Sequence, residues 1–98
     1  MKQAQQAKMR MEQIQAELGN DIVEASAGGG MVKVQMTGEQ ELKAIKIDPA
    51  AVDPAEVEML EDMILAAVNE ATRMSNELAQ TKMAEVTGSL QGMGIPGL

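Results

Sequence analysis

The feature that most constrains the fold is the stretch between Pro54 and Gly88, which contains neither proline nor glycine. Asp53 can cap the start of a helix there, and Pro54 suits the first helical position. These signals predict a helix over residues 54–87, which is about 50 Å long at 1.5 Å per residue. A compact domain of this size has a radius of gyration of only about 13 Å. Part of the helix must therefore project beyond the body of the domain.

Apolar residues recur along this predicted helix with heptad spacing. The positions are Val57, Leu60, Ile64, Ala67, Ala71, Met74 and Leu78. Further apolar residues widen this surface in the first half of the helix, whereas the second half carries a single stripe. A helix that is apolar nearly all round is buried on several sides, and one with a single stripe has one partner. We expect the first half to lie against a sheet and a second copy of the chain, and the second half to pair with one other helix.

The partner for that second half is a helix predicted over residues 1–19. Its apolar residues follow the same heptad spacing. They are Ala4, Ala7, Met11, Ile14 and Leu18. Gly19 and Asn20 supply the C-terminal stop signal. The two matching stripes predict a projecting arm made of two helices.

Residues 21–47 change to the alternating pattern that is typical of β-strands. Short strands are predicted over residues 21–26, 31–37 and 42–47. Because the connections are too short for parallel crossovers, the strands form an antiparallel meander. Val32, Val34 and Met36 share one face of the middle strand, which an apolar element must cover. The sequence thus predicts an α+β fold in the order α-β-β-β-α, with a three-stranded antiparallel sheet and a long C-terminal helix.

The core of this domain must be built without aromatic rings, since the 98 residues include no Phe, Tyr or Trp but ten Met. Met fills irregular gaps and specifies a packing arrangement only weakly. A chain of this size buries only about two-thirds of its unfolded surface. Association with a second copy is the natural remedy. The composition and the length of the helix both predict a homodimer.

A single domain is expected over residues 1–87. Residues 88–98 contain four Gly and one Pro, a composition that predicts a disordered tail. The alternative is that apolar residues of this tail dock on a partner. Those residues are Leu90, Met93, Ile95 and Leu98.

The absent residue types exclude most enzymatic chemistry and most metal sites. The sequence has no Cys and no His, so it lacks thiolate nucleophiles, zinc-finger ligands and the usual general base near neutral pH. The acidic residues Glu58, Glu61 and Asp62 are interpreted as a solvated helix face. Gly28-Gly29-Gly30 is interpreted as a turn, since no Gly-Lys-Ser/Thr follows it. No apolar run approaches the ~20 residues of a membrane span. We expect no catalysis, cofactor, metal, small-molecule substrate or membrane partner.

The charge distribution opposes nucleic-acid binding on average and favours it at the N-terminus. The chain has 8 Lys and Arg against 15 Asp and Glu, a formal net charge of −7, so nucleic acid repels it on average. Among the first ten residues, however, every charged side chain is basic. On a helical wheel Lys8 and Arg10 lie about 80° to either side of the apolar stripe, where they point outward from the arm. An ordinary charged helix flank is the alternative interpretation.

Four segments taken together resemble the YbaB/EbfC family of bacterial nucleoid-associated proteins. They are the glutamine-rich first helix, residues 27–34 (AGGGMVKV), residues 45–49 (IKIDP) and residues 58–71 (EMLEDMILAAVNEA). The resemblance implies a tweezer-like homodimer, joined through the sheet and the middle of the long helix, with two projecting arms. It also implies binding of double-stranded DNA with loose sequence preference, in the cytoplasm at the nucleoid, and a role in nucleoid organisation or gene regulation. Family members often begin with a short leader containing Gly, Met and Lys, whereas this sequence begins directly in its first predicted helix.

Together with that resemblance, the residues predict two surfaces. Five basic side chains are expected to contact DNA phosphates, namely Lys2, Lys8, Arg10, Arg73 and Lys82. Eight apolar residues are expected at the dimer interface, namely Val32, Val34, Met36, Ile45, Ile47, Leu60, Met63 and Ile64. The alternative function is a protein-interaction adaptor or chaperone-like dimer whose arms hold another protein between apolar surfaces. Salt distinguishes the two, because it weakens DNA binding steeply and leaves apolar binding intact or stronger.

Overall fold

The computed structural model describes residues 2–92, with side chains described from residue 4 to residue 85. The helices are Lys2–Asn20 (α1) and Val57–Gly92 (α2). The strands are Ile22–Ala27 (β1), Val32–Thr37 (β2) and Leu42–Ile47 (β3). Two short 3-10 turns, Pro49–Ala51 and Pro54–Glu56, connect β3 to α2. The predicted α+β class and the predicted α-β-β-β-α order are confirmed.

The start of the long helix follows the capping signals in the sequence. The carboxylate of Asp53 accepts a hydrogen bond from the backbone N–H of Ala55 at 2.9 Å, and Pro54 occupies the first position. The first turn is a 3-10 turn, so α-helical geometry begins at Val57. The helix continues five residues past the predicted end at residue 87, to Gly92. Residues 93–98 of the predicted tail lie outside the described residues.

The three strands form an antiparallel sheet in the order β1-β2-β3. Val34 lies opposite Ala25 on one side and Ile45 on the other. Since directly opposed residues share a face, most apolar positions of the three strands gather on one face of the sheet, which we call the inner face. They are Val23, Ala25, Ala27, Val32, Val34, Met36, Leu42, Ile45 and Ile47. The opposite, outer face carries the polar positions of the strands together with Ile22 and Ala44.

α2 lies across the inner face of β1 and β2. Val32 and Val34 of the sheet and Ala67 and Ala71 of the helix have no exposed surface. The two alanines allow the helix axis to approach the sheet closely. This helix is the apolar cover that the alternation of β2 predicts. The inner-face residues of the edge strand β3, Leu42, Ile45 and Ile47, stay 37–43% exposed, because α2 does not shield them.

The remaining part of α2 pairs with α1. We call this pair, α1 with residues 75–92 of α2, the arm. Ile14 is fully buried in it, and Leu18 is nearly so. Around them lie Ala7, Leu78, Ala79 and Met83. The protomer measures 63 × 22 × 15 Å, with a radius of gyration of 18.6 Å, against about 13 Å for a compact domain of this length. The predicted projection of a two-helix arm is confirmed.

Gly38, in the turn between β2 and β3, joins the arm to the sheet. Its backbone N–H donates hydrogen bonds to the carbonyl oxygens of Leu18, at 2.8 Å, and Asp21, at 3.1 Å. The residue before Gly38 is Thr37, and its carbonyl oxygen accepts a hydrogen bond from the buried hydroxyl of Ser75 at 2.8 Å. A Cβ at position 38 would lie 2.6 Å from Leu18 Cδ2 and 3.0 Å from the Leu18 carbonyl oxygen. Only glycine therefore allows α1, α2 and this turn to meet.

We expect Gly38→Ala to lower the free energy of unfolding by about 1–3 kcal/mol, the usual cost of overpacking. The added methyl group meets the backbone of Leu18, which cannot move without displacing α1. Gly19→Ala is the matched control, since a Cβ there meets the movable carboxylate of Glu39 at 3.3 Å and alanine is the better helix former. Urea denaturation should show destabilisation by Gly38→Ala alone. Equal destabilisation by both variants would contradict this account of the turn.

Candidate nucleic-acid interface

Arg10 and Lys82, two of the predicted DNA contacts, form ion pairs within the arm. Arg10 of α1 donates to Glu85 of α2 at 3.0 Å and lies 3.5 Å from Glu17. Lys82 of α2 donates to Asp21 at 2.5 Å and to Glu17 at 3.2 Å. The hydrogen bond to Asp21 is the main cause that raises the pKa of the Lys82 ammonium, and Glu17 adds to it. Both cations thus connect α1 to α2, and carboxylates of the same chain balance their charges.

Arg73, another of the predicted DNA contacts, is paired with carboxylates of its own helix, α2. Its guanidinium donates to Glu70 and to Glu77, each at 2.5 Å. The hydrogen bond from Arg73 lowers the pKa of the Glu70 carboxyl, and the same bond is the largest cause that raises the pKa of Arg73. The trio carries one positive and two negative charges, so it offers no net attraction to a phosphate.

Lys8 is the predicted contact whose ammonium remains unpaired. It is exposed on α1, and among the described side chains no carboxylate lies within 4 Å of it. Lys2 lies in the first turn of α1, and its side chain falls outside the described side chains. The basic N-terminal stretch therefore presents Lys8 to solvent, whereas Arg10 is turned toward the other helix of the arm.

Three further lysines lie on the strands, and the sequence pattern did not single them out as DNA contacts. Lys43 is 3.2 Å from Glu41. Lys33 and Lys46 are exposed, and within residues 4–85 neither has a carboxylate partner at 4 Å or less. The sequence does contain a signal for Lys33 and Lys46, because the alternation of apolar and polar residues places both at polar positions of predicted strands. Together with Lys8, they are the cations of residues 4–85 that have no carboxylate within 4 Å.

The residues predicted for the dimer interface fall into two groups in the protomer. Val32, Val34 and Met36 are buried beneath the α2 helix of their own chain. Ile45 and Ile47 are exposed at the uncovered edge of the inner face. Leu60, Met63 and Ile64 of α2 are half-buried and pack against the core.

The N-terminal part of α2 exposes more apolar surface than the predicted set contains. Val57, Met59 and Leu65 are between 51% and 60% exposed. Apolar residues on more than one side of α2 are expected from the sequence, because this half of the helix is apolar nearly all round. A wide apolar surface that the chain itself covers only in part is typical of an association site.

Two further observations, on metal sites and on membrane-spanning helices, concern the described part of the chain. Within it, no group of three or more acidic residues is arranged to hold a metal ion. None of its helices combines the length and the apolar character that crossing a bilayer needs.

Comparison with known proteins places the chain in a family. Residues 1–90 match the family model of the YbaB/EbfC DNA-binding family. The chain belongs to this family. It is 56% identical to a nucleoid-associated protein of Moorella thermoacetica over 99% of this chain and 90% of that relative. It is 49% identical to a nucleoid-associated protein of Ruminiclostridium cellulolyticum over 100% of this chain and 84% of that relative.

A solved structure shares the fold of this YbaB/EbfC family member. The crystal structure of an uncharacterized protein from Helicobacter pylori aligns with a TM-score of 0.71 and 23% identity. The alignment covers 80% of this chain and 82% of that one. The description of the YbaB/EbfC family names DNA binding, and the resemblance inferred from the sequence segments is confirmed.

Proposed function

We propose that this protein is a homodimeric, nucleoid-associated protein that binds double-stranded DNA with loose sequence preference and contributes to nucleoid organisation and gene regulation. The observation that carries the proposal is the match of residues 1–90 to a DNA-binding family. The names of its relatives support a place at the nucleoid, in the cytoplasm. The protein acts by binding and not by catalysis.

Lys8 is the proposed phosphate contact on each arm. Lys8 is exposed, and none of the described carboxylates lies within 4 Å of its ammonium, which leaves it available to an anion. Arg10 and Lys82 contribute indirectly, because their ion pairs hold α1 against α2 and so fix the position of Lys8. Lys2, in the first turn of the same helix, adds a second charge near the tip.

The proposed dimer interface is the apolar strip that the protomer leaves uncovered. It comprises the inner face of β3, with Ile45 and Ile47, and the exposed apolar surface at the start of α2, with Val57, Met59 and Leu65. Burial of such surface stabilises association by roughly 25 cal/mol per Å². From the predicted interface set, Ile45 and Ile47 belong to this strip, and Leu60, Met63 and Ile64 are half-buried residues of the same part of α2. Val32, Val34 and Met36 instead stabilise the protomer from within.

The affinity of the protein for DNA falls moderately in this proposal as the salt concentration rises. Each neutralised phosphate adds about −0.9 to the slope of log K against log salt concentration. Because three of the predicted cations are paired with carboxylates, few cations per protomer remain to neutralise phosphates. The acidic remainder of the chain keeps the protein from coating DNA indiscriminately.

The test is a titration of a random-sequence DNA duplex with Lys8→Gln and, as the matched control, Arg73→Gln. Both variants lose one positive charge, but Arg73 is paired with Glu70 and Glu77, whereas Lys8 has no carboxylate partner within residues 4–85. We expect Lys8→Gln to weaken binding about tenfold at 0.1 M salt for each phosphate that is no longer neutralised, and to reduce the salt slope by about 0.9 per phosphate. Arg73→Gln should bind as the wild type does.

Two results would contradict the proposal. Equal decreases in affinity in both variants would mean that net charge, and not the arm, governs binding. Binding of a protein ligand that persists or strengthens with salt, with no binding to duplex DNA, would favour the adaptor function instead.

A further inference from the structure

The outer face of the sheet carries two lysines directly opposite each other. In the antiparallel register of β2 and β3, Lys33 pairs with Lys46. We call these two residues the sheet lysine pair. Opposed residues on one face have Cβ atoms only about 4.5–5.5 Å apart, and like charges in such positions repel each other. The fold therefore holds two cations side by side.

Among the described side chains, no carboxylate lies within 4 Å of either lysine of the sheet lysine pair. On the side of β2 that faces β1, Lys33 lies opposite Ser26. The acidic residue of this face, Glu24, lies opposite Gln35 and accepts a hydrogen bond from its side-chain amide at 3.0 Å. By contrast Lys43, on the same strand as Lys46, does reach a carboxylate, that of Glu41 at 3.2 Å.

The surroundings of the pair are open to a large ligand. The turn before β2 consists of Gly28, Gly29 and Gly30, all with positive φ. A Cβ at Gly29 would meet no atom within 4 Å, and one at Gly30 would first meet Lys33 Cε, at 3.9 Å. Gly30 thus borders Lys33 without adding a side chain of its own, and the space beside Gly29 is open, so a broad surface can approach this end of β2. Both lysines of the pair are exposed, whereas α2 lies on the opposite, inner face of the sheet.

We propose that the sheet lysine pair is a second phosphate-contacting surface for double-stranded DNA, in addition to the arm. This inference rests on the proposed DNA-binding function and extends it to the sheet. A phosphate group beside the two ammonium groups relieves their mutual repulsion, which gives the site a preference for anions. Contacts of this kind position the duplex without reading its sequence, in keeping with loose sequence preference.

The test compares Lys33→Gln/Lys46→Gln with wild type and with Lys43→Gln in the titration of a random-sequence duplex at several salt concentrations. We expect the double variant to bind about tenfold more weakly at 0.1 M salt for each phosphate that is no longer neutralised, with a salt slope smaller by about 0.9 per phosphate. Lys43→Gln should stay within about twofold of wild type, because its ammonium is already paired.

A second variant separates an effect on DNA binding from an effect on folding. Lys33→Glu replaces a repulsive cross-strand pair with an attractive one, so its melting temperature should equal or exceed that of wild type, while its DNA affinity falls. A double variant with the affinity and salt slope of Lys43→Gln would overturn the inference, and so would a lower affinity without a change of slope. If wild-type protein does not bind the duplex at all, the proposed function fails with it. If wild type binds the duplex and the Lys33 and Lys46 variants bind it equally well, the inference fails and the arm alone contacts DNA.

Discussion

Replacing Ile14 with alanine is expected to lower the free energy that holds α1 on α2 by about 2–5 kcal/mol, the usual cost of truncating a buried isoleucine. Ile14 has no exposed surface, and it forms a small cluster with Leu18 and the apolar face of residues 78–83. This cluster is separate from the one beneath the sheet, so the arm has little other apolar burial to hold it closed. Hydrogen exchange should show faster exchange of α1 amides, with β2 amides largely unchanged.

Met9→Ala is the control for Ile14→Ala, since Met9 lies on the same helix and is 60% exposed. It should leave the exchange of α1 amides as in wild type. Ile14→Ala should also weaken DNA binding, although it removes no charge, because Lys8 loses its fixed position. Wild-type protection of α1 in the Ile14→Ala variant would show that the apolar cluster does not hold the arm.

Ile45→Glu is expected to convert the proposed dimer into monomers. Ile45 is 43% exposed in the protomer, so a folded single chain accommodates the carboxylate in water. In the proposed dimer the same carboxylate would be buried without a partner, which costs several kcal/mol. Light scattering should then give the mass of one chain, 10.4 kDa. DNA affinity should fall as well, since the two arms are no longer joined.

Ile22→Glu makes the same substitution on the other face of the sheet. Ile22 is 50% exposed, and its register opposite Thr37 places it on the outer face. This variant should keep the dimer mass. If Ile45→Glu also kept that mass, the interface would lie elsewhere on the protein.

Much of the fold could be predicted from local patterns, because the spacing of apolar residues reports which elements form. The heptad stripes predicted both helices and their pairing, and the alternation around Val34 predicted the face that α2 covers. Periodicity does not report how far one helix reaches across a sheet. α2 spans β1 and β2 and leaves Ile45 and Ile47 on β3 exposed, so the division between protomer core and free surface required the structure. The predicted end of α2 was also wrong, since Gly88 lies within the helix.

The candidate site was less predictable, because a lysine or arginine in a sequence does not show whether it is paired. The partners of Arg10 and Lys82 on the other helix lie 75 and 65 residues away along the chain. No local pattern reveals such contacts. The pairing of Arg73 was readable, since Glu70 and Glu77 stand three and four residues from it, where helical side chains meet.

The central claim is that a dimer of this chain binds duplex DNA through charges on its surface. Sedimentation velocity of a fluorescent random-sequence duplex, with increasing protein at low and high salt, tests it most directly. At low salt the duplex should gain mass in steps of two chains of 10.4 kDa, and high salt should remove them. A duplex that sediments alone at low salt, or that gains single chains, would contradict the account.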